Sequence, residues 1–181
     1  THENDLRRFQ TELVSIPAPP FNETKRAQWL AGKFREAGLT DVEVDKTGNV
    51  TGLRKGTDEK AKLVALTAHI DTVFPAETEI KVRTEDHKMF GPGISDNGAG
   101  VTALYATANA LRAGNVANKA GILFVGNVGE EGEGDLRGIR ALFNESKYKD
   151  KIERTIVVDG AGNDTIVTQA LGSHRFQVTV K

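Results

Sequence analysis

Six residues hold most of the chemistry open to this sequence: His69, Asp71, Asp96, Glu130, Glu131 and Asp159. They fall in four clusters, His69-Ile70-Asp71, Ser95-Asp96-Asn97-Gly98, Gly129-Glu130-Glu131-Gly132 and Asp159-Gly160. Five carboxylates and one imidazole on a single rim would repel one another and resist desolvation, and a divalent cation removes that conflict. The chain has no cysteine, which leaves histidine and carboxylates as its strong metal ligands. Residues two apart on an extended segment face the same side, so Asp71 is placed to accept the second ring N–H of His69 and fix its tautomer. Taken singly, each cluster has a plainer reading: His69 as a satisfied core or edge histidine, Asp96 as an Asx-turn or helix cap, Glu130 and Glu131 as solvated charges. Taken jointly, the plainer readings weaken. Glu130 and Glu131 follow an apolar run and sit among Gly126, Gly129, Gly132 and Gly134, and Asp159 follows Ile156-Val157-Val158, an expected low-dielectric setting.

The elements that must position these groups are legible in the apolar pattern. Leu63–Leu66, Gly121–Val125 and Thr155–Val158 are apolar without alternation, as expected of strands covered on both faces. Such strands call for an α/β fold, a mixed and largely parallel sheet between helix layers, in which ligands bind beyond the carboxyl ends of the strands. Three of the clusters lie just there. A helix near Gly98–Ala113 places Val101, Leu104, Ala108 and Leu111 on one face, and another, starting near Asp135, carries Leu136, Ile139 and Phe143. Upstream, Leu6, Phe9 and Leu13 recur at helical spacing, and a second helix is predicted over Glu23–Ala37, with Asn22 as cap, Gly38 as terminator and Trp29, Leu30 and Phe34 as its buried stripe. Val42–Val44 and Asn49–Leu53 read as paired strands around a turn. At the far end His174, Phe176, Val178 and Val180 alternate with polar residues, which predicts a half-solvated antiparallel strand.

Composition narrows the class. Over 181 residues, 24 Lys and Arg balance 25 Asp and Glu, a formal charge of -1, so the electrostatic footprint of a nucleic-acid binder is missing. Hydrophobic residues make up 38% and charged residues 27%, the proportions of a globular chain of about one domain. No apolar run approaches the roughly 20 residues that span a bilayer. The expectation is a protein without membrane or nucleic-acid partners, located in the cytoplasm.

The ordered set His69-x-Asp71, Gly91-Pro92-Gly93 leading to Asp96-Asn97, Gly129-Glu130-Glu131-Gly132 and Val158-Asp159-Gly160 resembles the co-catalytic zinc metallopeptidases, the family that includes peptidase T, carboxypeptidase G, carnosinase-type dipeptidases and the aminoacylases. The resemblance covers essentially the whole chain. It implies two divalent metal ions, zinc above all with cobalt or manganese as alternatives, bridged by Asp96. His69 and Asp159 would complete one metal site and Glu131 would bind the other. Glu130 would be the general base that takes a proton from the attacking water, and Asp71 would act through His69. The implied substrate is a small peptide or an N-acyl amino acid.

In this family the second metal takes a further histidine late in the chain, after an inserted lid or dimerisation domain. The sequence is therefore read as the front half of a catalytic domain, with residues 1–170 in that domain and residues 171–181 opening the lid domain. One metal site would be incomplete in this segment, which alone would bind at most one ion tightly and be nearly inactive. The missing C-terminal half is its expected partner, and the complete protein is expected to form a homodimer. Two other classes compete. Asp159-Gly160-Ala161-Gly162 after a strand suggests a nucleotide site, but Thr165 stands where a third glycine is needed and Asp159 would oppose a pyrophosphate. A non-catalytic metal-binding relative would have no use for a base at Glu130.

Overall fold

The computed structural model describes residues 3–160, 164–172, 176 and 178–180. Two amphipathic helices open the chain. The first, α1 (Glu3–Val14), buries Phe9, Leu13 and Val14, and the second, α2 (Thr24–Glu36), buries Arg26, Ala27, Leu30, Ala31 and Phe34. The residue at the N-cap of α2 is Glu23 rather than the expected Asn22. Its carboxylate does not cap the helix, because it is engaged by Arg137 across the molecule. Strands β1 (Thr40–Val44) and β2 (Val50–Arg54) form the expected antiparallel pair, with Val44 opposite Val50. The turn between them is held by Asp45, whose Oδ1 accepts the backbone N–H groups of Thr47, Gly48 and Asn49 at 2.8–3.0 Å.

The remaining elements are β3 (Leu63–His69), the small hairpin β4 (Arg83–Glu85) and β5 (Lys88–Phe90), an irregular turn over Ile94–Ala99, α3 (Gly100–Ala113), β6 (Ile122–Asn127), α4 (Arg137–Asn144) and β7 (Ile152–Val157). One five-stranded sheet has the order β1-β2-β6-β3-β7, in which β3 runs parallel to both β6 and β7 while β1 and β2 are antiparallel additions. Helices cover both faces, as the continuous apolar runs require. On one side Phe9, Leu30, Phe34, Val101, Leu104 and Ala108 pack with Phe124. On the other, Leu142 and Tyr148 pack with Ala65, Leu123 and Val125. After β3 the chain passes first to β6 on one flank and then to β7 on the opposite flank. The carboxyl end of β3, where His69 sits, is therefore the point at which the strand order reverses, the usual place for a ligand crevice in such sheets.

Three expectations need correction. Among the described residues the Thr155–Val158 run is not covered on both faces: β7 is the outermost strand, and Ile156 and Val157 are 54% and 64% exposed. Helix α4 begins at Arg137 rather than near Asp135, since Asp135 and Leu136 adopt positive φ, and Leu136 and Phe143 face outward while Ala141 and Leu142 fill the core. Residues 178–180 are not in a strand, and Phe176, Val178 and Val180 are exposed: the segment meets no pairing partner among the described residues, and an unpaired strand cannot satisfy its backbone ladder. His174 of that segment lies outside the described residues. Among the described residues no helix is long and apolar enough to cross a membrane.

Burial separates two phenylalanines that composition cannot distinguish. Phe124→Ala, in the fully buried layer, is expected to cost about 3–5 kcal/mol in denaturant unfolding. Phe176→Ala, at a position exposed in this 181-residue chain taken by itself, is expected to stay within about 0.5 kcal/mol in the same chain. Equal losses would contradict this assignment of the core.

Candidate metal centre

His69 ends the central strand and is buried, yet its ring reaches the rim on which the acidic clusters converge. Its Nδ1 lies 3.1 Å from the backbone carbonyl oxygen of Asp71, which makes Nδ1–H the donor and turns Nε2 outward. Nε2 stands 2.9 Å from Asp96 Oδ1 and 3.4 Å from Asp159 Oδ1. The Asp71 carboxylate lies beside Nδ1 at 3.7 Å, an ion-pair distance, while the Asp71 carbonyl makes the closer contact. That carboxylate also accepts the backbone N–H of Glu130 at 3.1 Å and of Glu131 at 2.9 Å. Asp71 is fully buried, and the two N–H groups satisfy a charge that could not otherwise remain there.

The turn after β6 brings the two glutamates to the rim. Gly129, at φ +61°, lets the chain leave the strand sharply, and Glu131 is extended at φ -78°, ψ 141°. Asp96 arrives from the irregular turn before α3, which Gly93 enters at φ +70° and which contains a cis Asp96–Asn97 peptide. Asn97 is buried and ties this turn to the neighbouring strand end: its Nδ2 donates to the Val158 carbonyl at 2.9 Å, and its Oδ1 accepts the Gly100 N–H at 3.0 Å. The side chains of Asp96 and Asp159 are therefore held in register from adjacent segments. Asp159 is 39% exposed rather than set in the low-dielectric surroundings expected, β7 being the outermost strand among the described residues.

Charge dominates the chemistry of this rim. Burial alone would depress the His69 pKa, but hydrogen bonding to Asp159 and Asp71, together with their charges, pushes it up to about 11. Asp159 is held below the ordinary carboxylate value chiefly by its hydrogen bond to His69. Asp71 is also held low: burial acts to raise it, and His69 with the Glu131 and Glu130 N–H groups outweighs burial. Glu130 is pushed up, first by burial and then by Asp159, Asp71 and Asp96 against the pull of His69. Glu131 is pushed up by burial, by Asp96 and by Glu130.

The donor set fits a divalent cation. Ligand atoms of His69, Asp96 and Glu131 all lie within 4.8 Å of one another, and Asp159 approaches the same imidazole nitrogen. One N–H on Nε2 cannot serve both carboxylates fully, whereas an ion can be shared by the His69, Asp96 and Glu131 atoms that lie together.

All six predicted site residues thus reach the same rim. Sequence reasoning missed Asn97 and Arg26. Arg26 is buried and donates through Nη1 to the Ile70 carbonyl at 2.7 Å and through Nε to the Ile16 carbonyl at 2.8 Å, gripping the backbone between His69 and Asp71. The signal was present: Arg26 stands four residues before Leu30 and eight before Phe34, on the apolar stripe of α2, where an arginine must find buried acceptors.

Comparison with known proteins bears on this site. The model of peptidase family M28 matches residues 49–178, and the chain belongs to that family, whose members are metal-dependent peptidases. A peptidase T-like protein of Yersinia pestis is 28% identical over 169 residues, covering 74% of this chain and 40% of its own length. The crystal structure of a tripeptidase from Staphylococcus aureus superposes with a TM-score of 0.70 at 25% identity, over 88% of this chain and 44% of that one. That of aminopeptidase PepT from Bacillus cereus does so with a TM-score of 0.72 at 23% identity and the same coverage, a likeness of fold. The chain spans between 33% and 44% of the length of such relatives.

The pKa directions set two pH dependences. With no metal bound, His69 contributes stability that is complete below about pH 6.5 and is lost as pH rises towards 11, while the contribution of Asp71 is complete above about pH 3.8 and is lost on acidification. A metal ion must displace the proton of Nε2. Zinc titrated at pH 7 in two buffers of different ionisation enthalpy is therefore expected to release about one proton per ion taken up at His69. Binding with no proton release would contradict the geometry.

Proposed function

We propose that the whole protein is a two-metal exopeptidase of the amino-, di- or tripeptidase type, with zinc as the resident ion. The observation that supports this most is the convergence of Asp96 and Asp159 on one nitrogen of His69 beside Glu130 and Glu131. In this reading His69, Asp96 and Asp159 hold one ion, and Asp96 and Glu131 share in holding the second. When bound, the ions neutralise the acidic rim, polarise the scissile carbonyl and acidify water.

The protein's own groups do the rest. The Asp71 carbonyl fixes the ring of His69, and the Asp71 carboxylate fixes the backbone from which Glu130 and Glu131 diverge. Glu130 takes the proton of the attacking water on its carboxylate and returns it to the departing amine, a role suited to a carboxylate whose pKa burial raises above its ordinary value. Residues 1–170 serve as the N-terminal part of the catalytic domain, and residues 171–181 open the lid domain. The exposed apolar side chains of Phe176, Val178 and Val180 favour a covering segment there.

Glu130→Gln in the whole protein is expected to lower kcat about 10²–10⁴-fold on tripeptides while metal content is unchanged. Unaltered turnover would remove Glu130 from the mechanism. Faster hydrolysis of N-acyl amino acids than of tripeptides by the unmodified protein would make it an amidohydrolase of acylated amino acids instead.

A further inference from the structure

We infer that Glu23 and Arg137 are a positioning pair for the turn that presents Glu130 and Glu131; the inference rests on the reading of that turn given above. The pair joins residues far apart in sequence. Arg137, the first residue of α4, donates through Nη2 to both carboxylate oxygens of Glu23 at 2.7 Å, and Glu23 is buried at the start of α2. The guanidinium also lies 4.6 Å from the centroid of the Phe21 ring, so it is clamped between a carboxylate and an aromatic face.

What the clamped side chain presses on is Gly129. A Cβ at that position would run into Nη1, Cζ and Cγ of Arg137, so the arginine fills the space beneath the residue that immediately precedes Glu130. Directly after Arg137, the Gly138 N–H donates to the Val128 carbonyl at 3.0 Å, fixing the start of α4 to the residue before Gly129. The turn is therefore held from two sides. Asp71 grips the N–H groups of Glu130 and Glu131 from within the sheet, and Arg137, fixed by Glu23, backs the glycine from the outside. Neither Glu23 nor Arg137 is among the groups assigned to metal or to proton transfer. Their effect on the site passes through the backbone of residues 129–131, and loss of either partner frees that backbone to move away from Asp71.

The test compares Arg137→Met and Glu23→Gln with the unmodified whole protein, and uses Arg54→Met as a control. Arg54 is likewise engaged by side-chain and backbone acceptors, Asn118 Oδ1 and the Leu111 carbonyl, but far along the chain from the turn. Hydrogen exchange at the amides of Glu130 and Glu131, which requires neither metal nor substrate, is expected to accelerate at least tenfold in Arg137→Met and less in Glu23→Gln, relative to the β3 amides of each variant. Arg54→Met should leave that ratio unchanged. Cobalt titration of the same proteins is expected to weaken about 10–100-fold for one equivalent in Arg137→Met. Unchanged exchange at Glu130 and Glu131 in both variants, or an equal acceleration in Arg54→Met, overturns the positioning role. Should Arg137→Met fail to fold, Glu23→Gln decides by the same exchange ratio. An unmodified protein that binds no cobalt overturns the metal reading of the turn and this inference with it, whereas normal cobalt binding by Arg137→Met overturns the inference alone.

Discussion

The surroundings of one imidazole nitrogen organise this molecule. His69 Nε2 faces the carboxylates of Asp96 and Asp159, and its other nitrogen is committed to a backbone carbonyl. An arrangement of this kind is costly for a fold to keep without a cation, since the carboxylates repel and a single ring proton compensates only part of their charge. A ring whose Nδ1–H is committed to a backbone carbonyl, at the end of a central strand, is already oriented to offer Nε2 to an ion once that nitrogen loses its proton.

The fold explains why the acids can meet there. Parallel strands β3, β6 and β7 deliver their carboxyl ends to one edge, and the chain reverses its direction of progress across the sheet at β3. His69, Glu130 and Asp159 are separated by long stretches of sequence but follow neighbouring strands. The turn that carries Asp96 is then stitched to the β7 end through Asn97. Two apolar layers cover β3 and β6, while the residues that need solvent and substrate remain at the rim.

Much of this was readable beforehand, and the failures have identifiable causes. The α/β class, the three site-bearing strands, the helix bearing Val101, Leu104 and Ala108, and the convergence of all six site residues follow from apolar runs and from what comes after them. Spacing puts Asp71 on the His69 side, as observed, but does not tell whether its carbonyl or its carboxylate lies closer to the ring. Apolar composition marks Ile156 and Val157 as strand residues but does not say which strand lies outermost in this chain, where both are exposed. The helix cap falls one residue after the expected Asn22, and the engagement of Glu23 by Arg137 is a long-range pairing that leaves no local mark in the sequence. Family membership, shown by the match over residues 49–178, agrees with the resemblance carried by the ordered motifs.

The claim on which the account stands is that His69 Nε2 and the Asp96 carboxylate are ligands of one ion. Crystals of the whole protein grown with zinc, measured at the zinc absorption edge, test it directly. The account predicts an anomalous peak about 2.0–2.2 Å from both His69 Nε2 and a carboxylate oxygen of Asp96. A zinc-loaded crystal whose anomalous peaks all lie elsewhere, with Nε2 still hydrogen-bonded to Asp96, would contradict it.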